Sequence, residues 1–290
     1  MKIQISNLGK IRQAEFELGD MTIICGRNNT GKTYVTYTLF GFMDFFWSSF
    51  EIGIAKQIIN DLINNGTVNI DLNSIAEQSI DYINQATDQY SKLIARVFKG
   101  QELLFKTTKI GVKSINTNSI LGIEVDEKVR KIFQFTKIKN STTLNISLFV
   151  KSEDDPPSGV NIKSILSDFM KEILFSSQVP KPFIASVERT GAAIFQRELD
   201  FTRNRIVDML GDKDSDIPQA LLFGKFVAEY PIPVRNNVDF IRAIPNLSGE
   251  SFIASKYPSI LEFFKQILGG EYQVVNGAIR FIPEKTRGIK

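Results

Sequence analysis

The sequence predicts an α/β fold, and three observations predict it. The chain opens with short segments that alternate apolar and polar residues, as half-exposed strands do. A continuous apolar run then leads through a glycine-rich stretch, GRNNTGKT, into a helical apolar pattern. Beyond that point apolar residues recur mostly at helical spacing, and the chain ends on a hairpin pattern.

Taken in order, KIQIS and AEFEL alternate and suit an antiparallel ribbon, with NLGK and LGD supplying turn residues. MTIIC (Met21–Cys25) is apolar throughout, which predicts a strand buried on both faces. A helix is expected from about Lys32, because Val35, Leu39, Phe42 and Met43 fall on one face. A second helical stretch runs from about Ser74 to Phe98, carried by Ile75, Ile83, Ala86, Tyr90, Leu93 and Val97. Strand-like segments follow near Glu102–Val112, Ile120–Val125 and Thr142–Val150. KSEDDPPSG (Lys151–Gly159) reads as a linker, since it combines acidic residues with Pro-Pro and Gly. Ile162, Ile165, Leu166, Phe169, Ile173 and Leu174 then make an amphipathic helix, and KPFIASVER reads as a strand. Helical patterns cover Ala192–Leu210, Ile217–Glu229 and Tyr257–Leu268, and Asn276-Gly277 marks the turn of a closing hairpin. Two domains are expected, residues 1–150 around the glycine-rich loop and a mainly helical 151–290.

Composition narrows the chemistry. The 290 residues include no histidine, which excludes Ser–His and Cys–His hydrolysis and histidine metal sites. One cysteine, Cys25, cannot form an internal disulfide, and packing in the buried strand is its expected role. A net charge of +3 neither predicts nor excludes a nucleic-acid partner. No signal-peptide pattern opens the chain. The most apolar run, YVTYTLFGFMDFFWSSF, is interrupted by Asp44 and suits a buried helix, not a membrane span. A cytoplasmic protein without a membrane partner is expected.

GRNNTGKT fits G-x-x-x-x-G-K-[ST] with Gly26, Gly31, Lys32 and Thr33. Average residue usage gives a chance match in such a chain on the order of 1%. The strand before and helix after are the context the pattern needs. In this reading Gly26, Asn28, Asn29, Thr30, Gly31, Lys32 and Thr33 wrap the phosphates of ATP. Successive main-chain N–H groups form an anion nest, and a side chain at Gly31 would block the phosphates' approach. The helix start adds positive potential. Lys32, the candidate catalytic residue, carries charge to the β- and γ-phosphates, and the Thr33 hydroxyl is placed for Mg²⁺.

At this loop the chain resembles the ATP-binding head of ABC-type ATPases of the SMC, RecF and OLD group. The residues that carry the resemblance are IQISNLGKIRQAEFELGDMTIICGRNNTGKT, with Asn29 and Thr30 on the usual Asn/Gly and Ser/Thr places. FIASVERTGAAIFQRELD and LGGEYQVVNGAIRFIPE are similar to segments of bacterial AAA-type ATPases that accompany nucleases in phage defence. The resemblance implies a P-loop NTPase fold with an N-terminal antiparallel ribbon and a largely helical insertion. It also implies two heads that sandwich ATP, with a signature motif supplied across the interface and a Walker B carboxylate pair for Mg²⁺ and water. A homodimer, or a complex with a second ATPase or nuclease chain, is the implied partner, and nucleic acid an indirect one.

The chain departs from that pattern. Asp126-Glu127 in SILGIEVDE follows an interrupted apolar run and reads as a solvated strand end. Ser248-Gly249 in NLSGES precedes LGGEY, whereas the signature in these relatives follows the equivalent hairpin. The chain reads as the N-terminal part of an ATPase, with an incomplete C-terminal lobe. ATP binding with little turnover is expected, as is apolar core surface that a partner would have to cover.

Other features have plainer readings. Glu188 and Arg189 suit a helix start or ion pair, and Arg197, Arg203 and Arg205 a mixed-charge face shared with Glu198 and Asp200. Arg12 lies on the first hairpin, where related heads often contact the adenine or ribose, and its plainer reading is an exposed strand arginine. Gln134, Gln178 and Gln196 all remain open as the glutamine that touches Mg²⁺. Two further functions stay open: a nucleotide-binding regulatory module without catalysis, and another P-loop enzyme such as a kinase or GTPase. The early ribbon and the lack of an N-K-x-D motif argue against the last.

Overall fold

The computed structural model describes residues 1–114, 125–130, 133–138, 140–148, 161–194, 230–244, 251–275 and 278–284. It is a mixed α/β protein of helices and small antiparallel sheets. The chain divides into two compact units, Met1–Ile184 with Pro231–Pro233, and Ala185–Tyr230 with Val234–Lys290.

The alternation at the N-terminus produces the expected ribbon. Strands β1 (Lys2–Leu8) and β2 (Ile11–Glu17) pair antiparallel, with Ile3 opposite Phe16 and Leu8 opposite Ile11. Ile3 and Ile5 point into the core while Gln4 and Ser6 point away, as the period of two requires, and Leu8 is buried out of that phase after Asn7 at φ +55°. The turn passes through Gly9 at φ +55°. On its other edge β1 pairs with β4 (Lys109–Ser114), which brings Ile110 and Val112 to the same buried face. Asn7 ties the two together: its amide donates to the Thr107 carbonyl at 3.2 Å, and its own carbonyl accepts from the Thr108 hydroxyl at 2.6 Å.

Helix α1 (Lys32–Ser48) starts where the spacing predicts, and it buries Val35, Leu39, Phe42 and Met43. It crosses the helix Ser79–Phe98 at Gly41. A Cβ there would stand 2.5 Å from the Tyr90 hydroxyl and 2.9 Å from Val97, so glycine allows the close approach. The Tyr90 hydroxyl donates to the Thr38 carbonyl at 2.9 Å, and burial pushes its pKa well above the ordinary value, with Asp44 adding to the shift.

A second sheet has the order β3-β7-β6-β5, from β3 (Thr67–Asp71), β5 (Val125–Arg130), β6 (Phe133–Lys137) and β7 (Thr143–Leu148). Its buried face carries Ile70, Phe133, Phe135, Leu144 and Ile146. Phe135 stacks on Phe169 of the helix Ile162–Phe175, with ring centroids 3.6 Å apart. That helix also closes the C-terminal end of α1. Buried Lys171 donates to the carbonyls of Phe46, Trp47 and Phe50, at 3.1, 3.1 and 2.7 Å, and pairs with Asp168 at 3.0 Å.

In the second unit, Val234, Val238 and Ile241 are buried on the helix Ile232–Ala243, and Asn237 accepts from the Ser186 N–H at 2.7 Å. The helix Pro258–Leu268 opens on proline and stops at Gly269, in the left-handed region at φ +66°. The closing hairpin is present as β8 (Gly270–Val275) and β9 (Ala278–Pro283), while its turn, Asn276-Gly277, lies outside the described residues.

Three expectations require correction. Met21–Cys25 is not a strand but irregular chain, with Met21 79% and Ile23 73% exposed. A continuous apolar run makes a buried strand only if strands flank it on both edges, and no described strand pairs with it. Lys181–Arg189 is likewise no strand, and Phe183 and Val187 face solvent. Glu102–Val112 splits into a helical turn at Glu102–Phe105 and the start of β4. Missing from the sequence reading were α2 (Lys56–Asn65), β3, β6, most of β5 and the helices Ile232–Ala243 and Phe252–Lys256; of the expected strand Ile120–Val125 only Val125, the first residue of β5, lies within the described residues. The linker Lys151–Gly159 and the helical pattern Ile217–Glu229 lie outside the described residues, as does Ala192–Leu210 beyond Ile194. Among the described residues no helix is long and apolar enough to cross a membrane.

Candidate functional site

The GRNNTGKT stretch forms a tight loop between the irregular segment 21–25 and α1. Three of its residues sit at positive φ: Gly26 at +155°, Asn29 at +62° and Gly31 at +102°. The Thr30 hydroxyl donates to the Arg27 carbonyl at 2.8 Å, which closes the bend from inside. Lys32 turns back across the loop, and its ammonium donates to the carbonyls of Gly26 at 2.8 Å and Arg27 at 2.7 Å. An ammonium has three donors, so one of them is left for another acceptor.

These bonds all consume carbonyls, and the loop's N–H groups are left over. Gly31 is the N-cap of α1 and gives no side-chain cap, and no acidic residue stands in the first turn. The first intrahelical bond runs from the Val35 N–H to the Gly31 carbonyl at 3.1 Å. Ahead of it, the main-chain N–H groups of Lys32, Thr33 and Tyr34 meet no acceptor among the described residues, while the loop turns back on itself at Asn28-Asn29. A helix start with orphan donors and no neutralising carboxylate concentrates positive potential. Residues 26–30 and Thr33 are exposed, so this edge faces solvent.

Of the residues the motif selects, Gly26, Asn28, Asn29, Thr30, Gly31, Lys32 and Thr33 thus come together in one loop at the helix start. The glycine at 31 has a reason that spacing alone does not supply. Besides the left-handed backbone, a Cβ there would meet Cγ1 and Cδ1 of Ile11, each at 2.9 Å. Ile11 belongs to the first hairpin, whose turn therefore lies against the loop. Gly9 of the same turn packs on Tyr34, where a Cβ would stand 3.4–3.6 Å from the ring carbons. Tyr34 stacks on Phe98 at 4.9 Å. Motif reading missed Ile11, Gly9 and Tyr34, and the available signal was the turn sequence LGKI standing opposite a glycine-dependent loop.

Cys25 corrects another expectation, because it is exposed and not packed in a strand. Arg12 is exposed on β2, next to Ile11. Gln134 lies half-buried on β6 and Gln178 half-buried after the helix Ile162–Phe175, while Gln196 is outside the described residues. Arg189 opens the short helix Arg189–Ile194 and donates to the Ser186 carbonyl at 2.8 Å. Asp126 and Glu127 lie on β5. Ser248, Gly249, Arg197, Glu198, Asp200, Arg203 and Arg205 lie outside the described residues; Ser251 caps the short helix Phe252–Lys256 by accepting from the Ile253 N–H at 3.2 Å. Among the described residues no group of three or more Cys, Asp or Glu could hold a metal ion.

No family model matches the chain, and no curated protein or solved structure does.

Proposed function

We propose that this chain binds ATP with Mg²⁺ through residues 26–33 and works as an ABC/SMC-type ATPase head of the P-loop NTPase kind. In this reading two heads associate on ATP and drive a DNA-related or defence partner. The observation that carries the proposal is the uncapped start of α1, where unpaired main-chain N–H groups open the helix, the Lys32 ammonium lies across the loop and Thr33 is exposed in the first turn. These groups suit a polyphosphate: the N–H groups and Lys32 would hold its oxygens, and Thr33 would ligate the magnesium ion, which neutralises phosphate charge when bound. The Lys32 ammonium would exchange bonds to neutral carbonyls for bonds to an anion, which adds a charge–charge attraction to the hydrogen bond.

Turnover by the chain alone is proposed to be low, because no uninterrupted apolar run in its sequence ends in Asp-Glu. A non-catalytic regulatory module is the second reading, favoured by that same feature.

Thermal denaturation with and without Mg·ATP tests the proposal. A hundredfold excess over Kd should add about 2.7 kcal/mol and raise Tm by several degrees. Lys32→Ala should abolish the rise while leaving the ligand-free Tm nearly unchanged, since the side chain bonds only to an exposed loop. No rise at millimolar ATP, or a rise that survives the substitution, would overturn the reading.

A further inference from the structure

We propose that the turn of the first hairpin sets the affinity of the loop for its anion, with Ile11 as the positioning residue. The inference rests on the reading of residues 26–33 as a triphosphate site. Gly31 makes the change of direction from loop to helix, and it does so in the left-handed region. Nothing intrinsic to glycine holds it there, because glycine visits φ of either sign at little cost. What borders it is Ile11, whose Cγ1 and Cδ1 stand where a Cβ would be crowded.

Three residues on, Tyr34 is held between Gly9 of the same turn and the ring of Phe98. The N–H groups of Lys32 and Thr33 lie between these two fixed points. The turn is itself anchored, since Leu8 is fully buried and paired opposite Ile11. The anchored turn of the hairpin therefore borders both flanks of the segment whose amides would face the anion. Preorganised donors need no reordering when a ligand arrives, and shortening the side chain that holds them should weaken binding.

The test is calorimetric titration of the full chain with Mg·ATP, for wild type and a graded series. Ile11→Val removes one carbon and should weaken binding about threefold. Ile11→Ala removes all three carbons beyond Cβ and should weaken it about tenfold, both measured well below the unfolding temperature. Phe16→Leu is the control: it trims a partly buried side chain near the other end of β2, away from the loop. It should lower Tm and leave affinity unchanged. If Ile11→Ala does not fold, the Val step alone still decides. A flat series with intact wild-type binding overturns this inference alone, as does an equal loss in Phe16→Leu. Absence of binding by the wild type overturns the reading of the loop, and this inference with it.

Discussion

Lys171 owes its setting to residues distant from it in the chain. Its place in IKSILSDFMKEILF lies between Met170 and Glu172, and a lysine there reads as solvated. It is instead 1% exposed, because the end of α1, more than a hundred residues earlier, brings carbonyls to it. Phe46 and Trp47 belong to the last turn of α1, whose carbonyls have no intrahelical donor. The ammonium therefore caps a helix from outside it. Lys171→Met keeps the length of the side chain and removes the donors. Burying a charge is costly, so its loss returns part of the energy, but three carbonyls are left to find water in a closed space. A net loss of about 2–4 kcal/mol is expected. Urea denaturation should show a lower midpoint with an unchanged slope. An unchanged midpoint would mean that water or a shift of the chain replaces the ammonium.

At the scale of elements, local pattern was legible where an element carries its own instruction. Alternation marked β1 and β2, helical spacing marked α1, and apolar runs around a turn marked the last hairpin. It failed where pairing decides. Met21–Cys25 has the composition of a buried strand and no described neighbour, whereas β3 (TVNID) is mostly polar and pairs with β7 all along its length. The β1–β2–β4 sheet also carries an electrostatic clasp that spacing does not reveal. Glu15 on β2 pairs with Lys2 of β1 and Lys113 of β4, each at 2.6 Å, and accepts from Gln4 at 2.8 Å. The hydrogen bonds from Lys113 and then Lys2 hold its carboxyl down, from an ordinary 4.5 to about 2. A lowered folded-state value means stability that is present above 4.5 and lost as pH falls toward 2. The Tm difference between wild type and Glu15→Gln should therefore shrink from pH 6 to pH 2, and shrink at pH 6 when salt is added. A difference independent of both would remove the ionic account. The side chains are solvent-facing, so the effect should be small.

For the whole molecule, the loop was the most legible feature, because GRNNTGKT states its residues in one run, and the surface around it the least, because that surface depends on contacts between distant segments. Residues 26–30 and Thr33 are open to solvent, and so is most of the apolar segment 21–25 just before them. A triphosphate seated on this edge would meet protein on one side and water on the other. Electrostatic contacts are weak where water reaches them and stronger where a second surface excludes it. The proposed association of two heads supplies such a surface, and the bound anion would neutralise the positive helix starts that otherwise repel each other. Sedimentation velocity of the wild type at micromolar concentration should then show the 32.7 kDa species alone giving way to one of twice the mass when Mg·ATP is added. Lys32→Ala should stay at the single mass in both conditions. Because binding and association are linked, each should tighten the other, so the apparent affinity for ATP should rise with protein concentration. A single mass at saturating ATP, with an affinity that does not vary with protein concentration, would confine this chain to binding as a monomer and direct the search toward a different chain as the second surface.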